Sequence, residues 1–213
     1  MRTTLLEYAA DRLDNSLAKR KRELADMRFL CSEVAGRRGQ MLRRSGHVMA
    51  YAHWEGFVKD CISEYLTYLK RTSQPVALLQ PGLQAITFLP LLKKNFDGGE
   101  VYRAMEVMSQ VGSMSSRCFE CDVESVVKTG NLDSKRLKQL LSITSLGYLD
   151  EYKTREKFID EVLCGRRHRI AHGDFQPIEW DDLEEAIDGC LELCGCVNDQ
   201  VVEAMLEKMF LSQ

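Results

Sequence analysis

The chain has 213 residues, 45% of them hydrophobic and 29% charged, with a formal net charge of −3. That apolar content can bury a core without staples and excludes a disordered chain. The net acidic balance weighs against a protein that coats nucleic acid through overall charge but leaves room for a local basic cleft. Charge is in fact patchy: Lys19-Arg-Lys-Arg22, Arg37-Arg38, Arg43-Arg44 and Arg166-Arg-His-Arg169 are basic, whereas Asp181 to Glu185 is acidic.

In chain order, the opening residues from Met1 to Glu7 lack the basic start and apolar run of a signal peptide. A first helix is expected from about Thr4 to Ala35, with Leu6, Leu13, Leu17, Leu24 and Met27 or Leu30 on one face. Gly36-Arg-Arg-Gly39 reads as a break. A second helix follows from about Leu42 to Thr72, where Tyr51, Trp54, Val58, Cys61, Ile62, Tyr65 and Leu69 make a broad apolar stripe. Three of the four prolines, Pro75, Pro81 and Pro90, punctuate residues 73–98, an excursion ended by Asp97-Gly-Gly99. Residues 100–116 read as helical, and 117–150 hold two shorter elements. One of these starts at Asn131-Leu-Asp-Ser134 and ends before Gly147. A further helix covers about Thr154 to Ala171 and is closed by Gly173. The last runs from about Trp180 to Leu211, with Asp181 and Asp182 at its positive end. The reading is all-α: one domain over 1–213, with 73–150 as a helical insertion between the second and the penultimate long helices. No stretch of about 18 apolar residues is present, so no membrane contact is expected.

The chemistry-bearing segment is Cys164-Gly-Arg-Arg-His-Arg-Ile-Ala-His172-Gly-Asp174. Arg167 offers a planar, permanently charged fork for a phosphate, and His172 a group that exchanges protons near neutral pH. Residues five apart on a helix are about 140° apart, so the two do not stack, and His172 falls where the helix end can redirect it. The bland alternative is a basic last turn that complements the helix dipole. His168 and His172, four apart, could chelate a metal. Arg169, however, stands where a zinc hydrolase pattern has Glu, and the cationic neighbours oppose a bound cation. The supporting polar set is Arg166, His168 and Arg169, together with His53, Glu55 and Lys59 of His53-Trp-Glu-Gly-Phe-Val-Lys59. Glu55 and Lys59 form a favourable i, i+4 pair. Gly56, which costs about 1 kcal/mol relative to Ala in mid-helix, signals a close approach by a neighbouring helix or a ligand. His47 has no obvious partner. Of the eight cysteines, Cys118 and Cys121 form a CxxC, and Cys190, Cys194 and Cys196 a second group. They could hold zinc, but apolar helical surroundings favour reduced core thiols in a cytoplasmic protein, with no metal and no disulfide.

Arg167-His-Arg-Ile-Ala-His-Gly173 resembles the Arg-polar-x-x-x-His motif of the HEPN superfamily, with His168 at the polar position where Asn is frequent. Ala50-Tyr-Ala-His-Trp-Glu-Gly-Phe-Val-Lys59 is similar to the second-helix signature of the MAE-type, or RiboL-PSP, branch. So is Val127-Lys-Thr-Gly-Asn-Leu132, followed by Leu137, Leu140 and Gly147. The resemblance spans about residues 40–211. It implies an all-α bundle that dimerises with two Arg–His motifs facing one cleft, and a metal-independent endoribonuclease that uses no cofactor. Such proteins are often bacterial toxins or antiviral effectors, with RNA as substrate and an antitoxin or defence-complex component as a further partner. Other members have lost activity and serve as nucleotide- or RNA-binding modules or dimeric scaffolds.

Overall fold

The computed structural model describes residues 4–95, 101–128 and 130–212. The expected Asp97–Gly99 break and the first three residues lie outside them. Among the described residues the chain is helical, with no β-strand. α1 (Leu5–Glu33) starts with a capping box. Thr4 Oγ1 accepts from the Glu7 backbone, and the Glu7 carboxylate accepts from Thr4 N–H. α2 (Gly36–Thr72) begins earlier than expected, because the reversal needs only Val34 and Ala35. Gly39 makes this possible: a Cβ there would lie 2.1 Å from the Val34 carbonyl oxygen. α3 (Pro81–Asn95), α4 (Val101–Ser115), α5 (Val123–Val127), α6 (Ser134–Ile143) and α7 (Asp150–Thr154) follow. Asp133 caps α6, accepting from Arg136 N–H at 2.8 Å, as the helix-start signal predicted.

α9 (Trp180–Leu206) completes a central layer in which α1, α2 and α9 pack against one another. α2 is buried nearly all round, through Ala50, Tyr51, Trp54, Phe57, Val58, Cys61, Ile62, Tyr65, Leu66 and Leu69. That is the pattern of a core helix. α1 contributes Leu13, Leu17 and Leu24, and α9 contributes Leu183, Ile187, Leu193, Val197 and Val201. Leu30 is exposed, and Cys31 takes the buried place on that turn. Phe119, Leu132, Leu137, Leu141 and Tyr152, from the region that follows α2, join the same core.

Two expectations are corrected. The helix expected over 154–171 is not one α-helix: a π-helical segment, Phe158–Gly165, leads into the short α8 (Arg166–Ala171). The wider winding fits two tertiary partners. Val162's carbonyl meets His47 Nε2 at 2.9 Å, and Asp160 accepts from both the backbone N–H and the hydroxyl of Ser134, each at 2.7 Å. The last helix stops at Leu206, not Leu211. The chain leaves it to bury Phe210 edge-on to Tyr68 and to pair with residues 78–80 through Gln80 N–H to Phe210 O and Ser212 N–H to Leu78 O.

Candidate functional site

α8 ends in a Schellman motif. Asp174 N–H donates to Arg169 O at 3.0 Å and Gly173 N–H to Ile170 O at 3.2 Å, with Gly173 at φ +90°. The left-handed residue has to be glycine, which explains Gly173, and it leaves His172 as the C-cap, just past the last residue of α8. The following turn is pinned to the start of α2. Arg43 Nε donates to Ile178 O at 2.7 Å, Arg44 Nη2 to Asp174 O at 2.9 Å, and Gln40 accepts from Ile178 N–H.

The basic side chains of α8 fan out to different partners. Arg166 pairs with Asp182 of α9 at 2.7 Å, and Arg169 Nε donates to Gln176 at 2.9 Å. His168 and His172, one turn apart, are exposed, with ring centroids 4.2 Å apart. Arg167 turns inward. Its guanidinium lies 3.9 Å above the Tyr51 ring, and its Nη2 donates to Asn131 Oδ1 at 2.8 Å. Among the described residues no carboxylate pairs with it, and its Nε has no partner. Tyr51 in turn accepts from Leu132 N–H at 2.7 Å. Burial pushes the Tyr51 hydroxyl up to about 12, with nearby Glu55 adding to the effect. The phenol therefore stays neutral and acts as a platform and acceptor.

Tyr51 and Asn131 are functional neighbours that the chemistry of the sequence did not single out. Tyr51 read as core, and Asn131 as a helix start. Yet Tyr51 and Asn131, far apart in the chain, meet at the Arg167 guanidinium, and the Leu132 N–H ties the two segments together through the Tyr51 hydroxyl. Glu55 and Lys59 pair with each other at 2.7 Å, on the turns of α2 that follow Tyr51. His53 is not brought to this point. It faces α1, with Nδ1 3.2 Å from Arg20 and Nε2 3.3 Å from the Glu23 carboxylate. The close approach signalled by Gly56 is also on that side, where Arg20 would lie 3.2 Å from an added Cβ.

His47 is fully buried, and burial lowers its proton affinity, with the charges of Arg166 and Arg169 acting in the same direction. Cys190 and Cys194 are core thiols, and Cys190 Sγ donates to Ala50 O at 3.2 Å. Cys118 is exposed and itself forms an isolated antiparallel bridge to Pro75. Among the described residues no three His, Cys, Asp or Glu side chains cluster as metal ligands.

An all-helical bundle with an Arg–His segment at the end of its penultimate helix is the arrangement expected of a HEPN-type domain. The model of the HEPN_MAE_28990-like HEPN family matches residues 9–210, and the chain belongs to that family. The family sits within a superfamily of nuclease and RNA-binding domains. Comparisons with curated proteins and with solved structures give no significant match. No described helix is long and apolar enough to cross a membrane.

Proposed function

We propose that the protein is a metal-independent endoribonuclease that cleaves RNA through its own 2′-hydroxyl. The observation that carries this reading is the anchored but uncompensated Arg167. A guanidinium held by a ring and a neutral amide keeps its charge for an anion, and it lies on the short helix that the exposed His172 caps. Neutral His172 takes the 2′-hydroxyl proton as the 2′-oxygen attacks phosphorus. Arg167 offsets the charge gathered on the non-bridging oxygens, and a protonated imidazole gives its proton to the departing 5′-oxygen. In a two-fold homodimer the second copy of His172 supplies that acid. The products are a 2′,3′-cyclic phosphate and a 5′-hydroxyl. Such an activity suits a cytoplasmic bacterial toxin or antiviral-defence effector, held in check by an antitoxin or a defence-complex partner.

A second reading, a non-catalytic RNA-binding module or dimeric scaffold, draws on the hydrogen bond that commits Arg167 to Asn131. Incubation with mixed RNA in EDTA separates the two. Cleavage that leaves cyclic phosphate ends, spares DNA of the same sequence and disappears in both Arg167→Ala and His172→Ala supports the nuclease. Binding without cleavage, weakened by Arg167→Ala, supports the module.

A further inference from the structure

Beside the Arg–His segment lies a groove of about 690 Å³ lined by Arg37, Arg38, Gln40, Met41, Arg44 and Phe175. Its charged lining residues are all arginines, in a chain whose net charge is −3. Arg37 and Arg38 are exposed and take no ion pair among the described residues. Phe175 is 77% exposed, the most exposed of the large apolar side chains described. A ring left so open toward water contributes little to folding. It is nevertheless held in place: Arg44 donates to Asp174 O at 2.9 Å, and its guanidinium lies 5.7 Å from the Phe175 ring centre. Phe175 is also three residues from His172, on the turn that closes α8. The 173–175 turn therefore joins the groove to the end of the Arg–His segment.

We infer that this groove is a binding track for single-stranded RNA leading to the 167–172 segment, in which Phe175 stacks on an unpaired base while Arg37 and Arg38 hold the flanking phosphates. The ligand class rests on the ribonuclease reading above. The groove itself adds the argument for a single strand. An open aromatic face beside free guanidinium groups is what unpaired bases and their phosphates need, whereas a duplex offers no free base face except at its ends. Gln40 and Arg44 are positioning residues here, since their hydrogen bonds fix the 174–179 turn to α2. Arg37, Arg38 and Phe175 are the contact residues.

The test is affinity for a fluorescent 2′-O-methyl RNA oligonucleotide, which cannot be cleaved, measured over a range of salt with the full chain. Phe175→Ala is expected to weaken binding about ten-fold or more, and Phe175→Trp to restore it. Arg37→Ala with Arg38→Ala is expected to flatten the log-affinity against log-salt slope by about 0.7 per arginine removed. Unchanged affinity and slope in these variants would overturn the track, even if Arg167→Ala still abolished cleavage. Weakened binding in these variants, with a wild-type protein that binds RNA but cuts nothing, would keep the track and sink the nuclease. If sedimentation shows Phe175→Ala splitting a dimer while each chain binds RNA as before, the groove is instead a contact between copies, and the inference fails.

Discussion

Two arginine–histidine pairs flank the same stretch of α2, and they are built differently. Arg20 and His53 lie between α1 and α2. There Arg20 stacks 5.6 Å from the Phe57 ring centre, pairs with Asp60 at 2.7 Å and contacts His53, which lies near Glu23. Arg167 and His172 lie on the other side, where Arg167 stacks on Tyr51 and meets only the neutral Asn131. Both arginines rest on an aromatic ring of α2, so the ring does not distinguish them. The counter-charge does. A guanidinium already answered by a carboxylate is part of the scaffold, whereas one answered by an amide and a ring can still take a phosphate.

The largest expected effect breaks that comparison at the Arg167 end. Arg167→Ala and His172→Ala should each lower RNA cleavage by about 10²- to 10⁴-fold, the usual range for removing an acid–base or charge-stabilising group. Circular dichroism and thermal melting should be little changed, because His172 is exposed and Arg167 is only half-buried. His168→Ala should cost less, because its contact with His172 is a ring contact. His168→Phe keeps that contact and should recover most of the rate. A Phe variant as damaged as His172→Ala would instead make His168 a proton-transfer residue.

A smaller effect is expected at the platform. Tyr51→Leu removes the ring under Arg167 as well as the acceptor for Leu132 N–H, so it should lower both cleavage and stability. Tyr51→Phe keeps the ring and leaves a buried backbone donor unmet, a cost of about 1–3 kcal/mol. It should therefore lower the melting temperature while kcat stays near wild type. Equal losses of kcat in the two variants would show that the hydroxyl, not the ring, sets Arg167. Arg20→Ala carries the comparison to its other side. It should destabilise by about 1 kcal/mol, in line with a partly exposed ion pair, with cleavage per folded molecule unchanged.

The long helices, and those helix ends that carry a cap, were legible because their signals are local, whereas the start of α2 and the end of α9 were not. Leucine spacing marks α1, the broad stripe marks α2, Asp133 starts α6 and Gly173 ends α8. The placement of His53 was within reach of helical geometry too. Residues 51 and 55 share a face, while 53 is about 200° from 51, so one wall could not hold His53 with Glu55. The π-helical winding was not legible, because it depends on His47 and Ser134, which come from elsewhere in the chain. Nor was the Tyr51–Asn131–Arg167 cluster legible from chemistry alone. Its members are separated by many turns of helix, and each has an ordinary local role. Only the resemblance had marked the three segments, without saying that they meet.

The smallest effect concerns His47, a histidine that joins α2 to the π segment without belonging to either arginine pair. Burial is the main cause of its lowered proton affinity. The charges of Arg166 and Arg169 add to it, and the Val162 carbonyl and Asp182 oppose it. The sign then follows from linkage. Above the ordinary histidine value of 6.5 the ring is neutral both folded and unfolded, and its contribution to stability is fully present. As pH falls below that value, the unfolded chain takes up a proton that the folded chain refuses, so stability declines until the folded ring also titrates. His53, lowered by burial and by Arg20, acts in the same direction. His47→Gln keeps an amide donor for the Val162 carbonyl but cannot titrate. Its melting temperature should therefore fall less than that of wild type between pH 7 and pH 5.5. Adding His53→Gln should shrink the fall further. A variant with the wild-type pH slope would mean that His47 is protonated in the folded protein and that its bond to Val162 tolerates the charge.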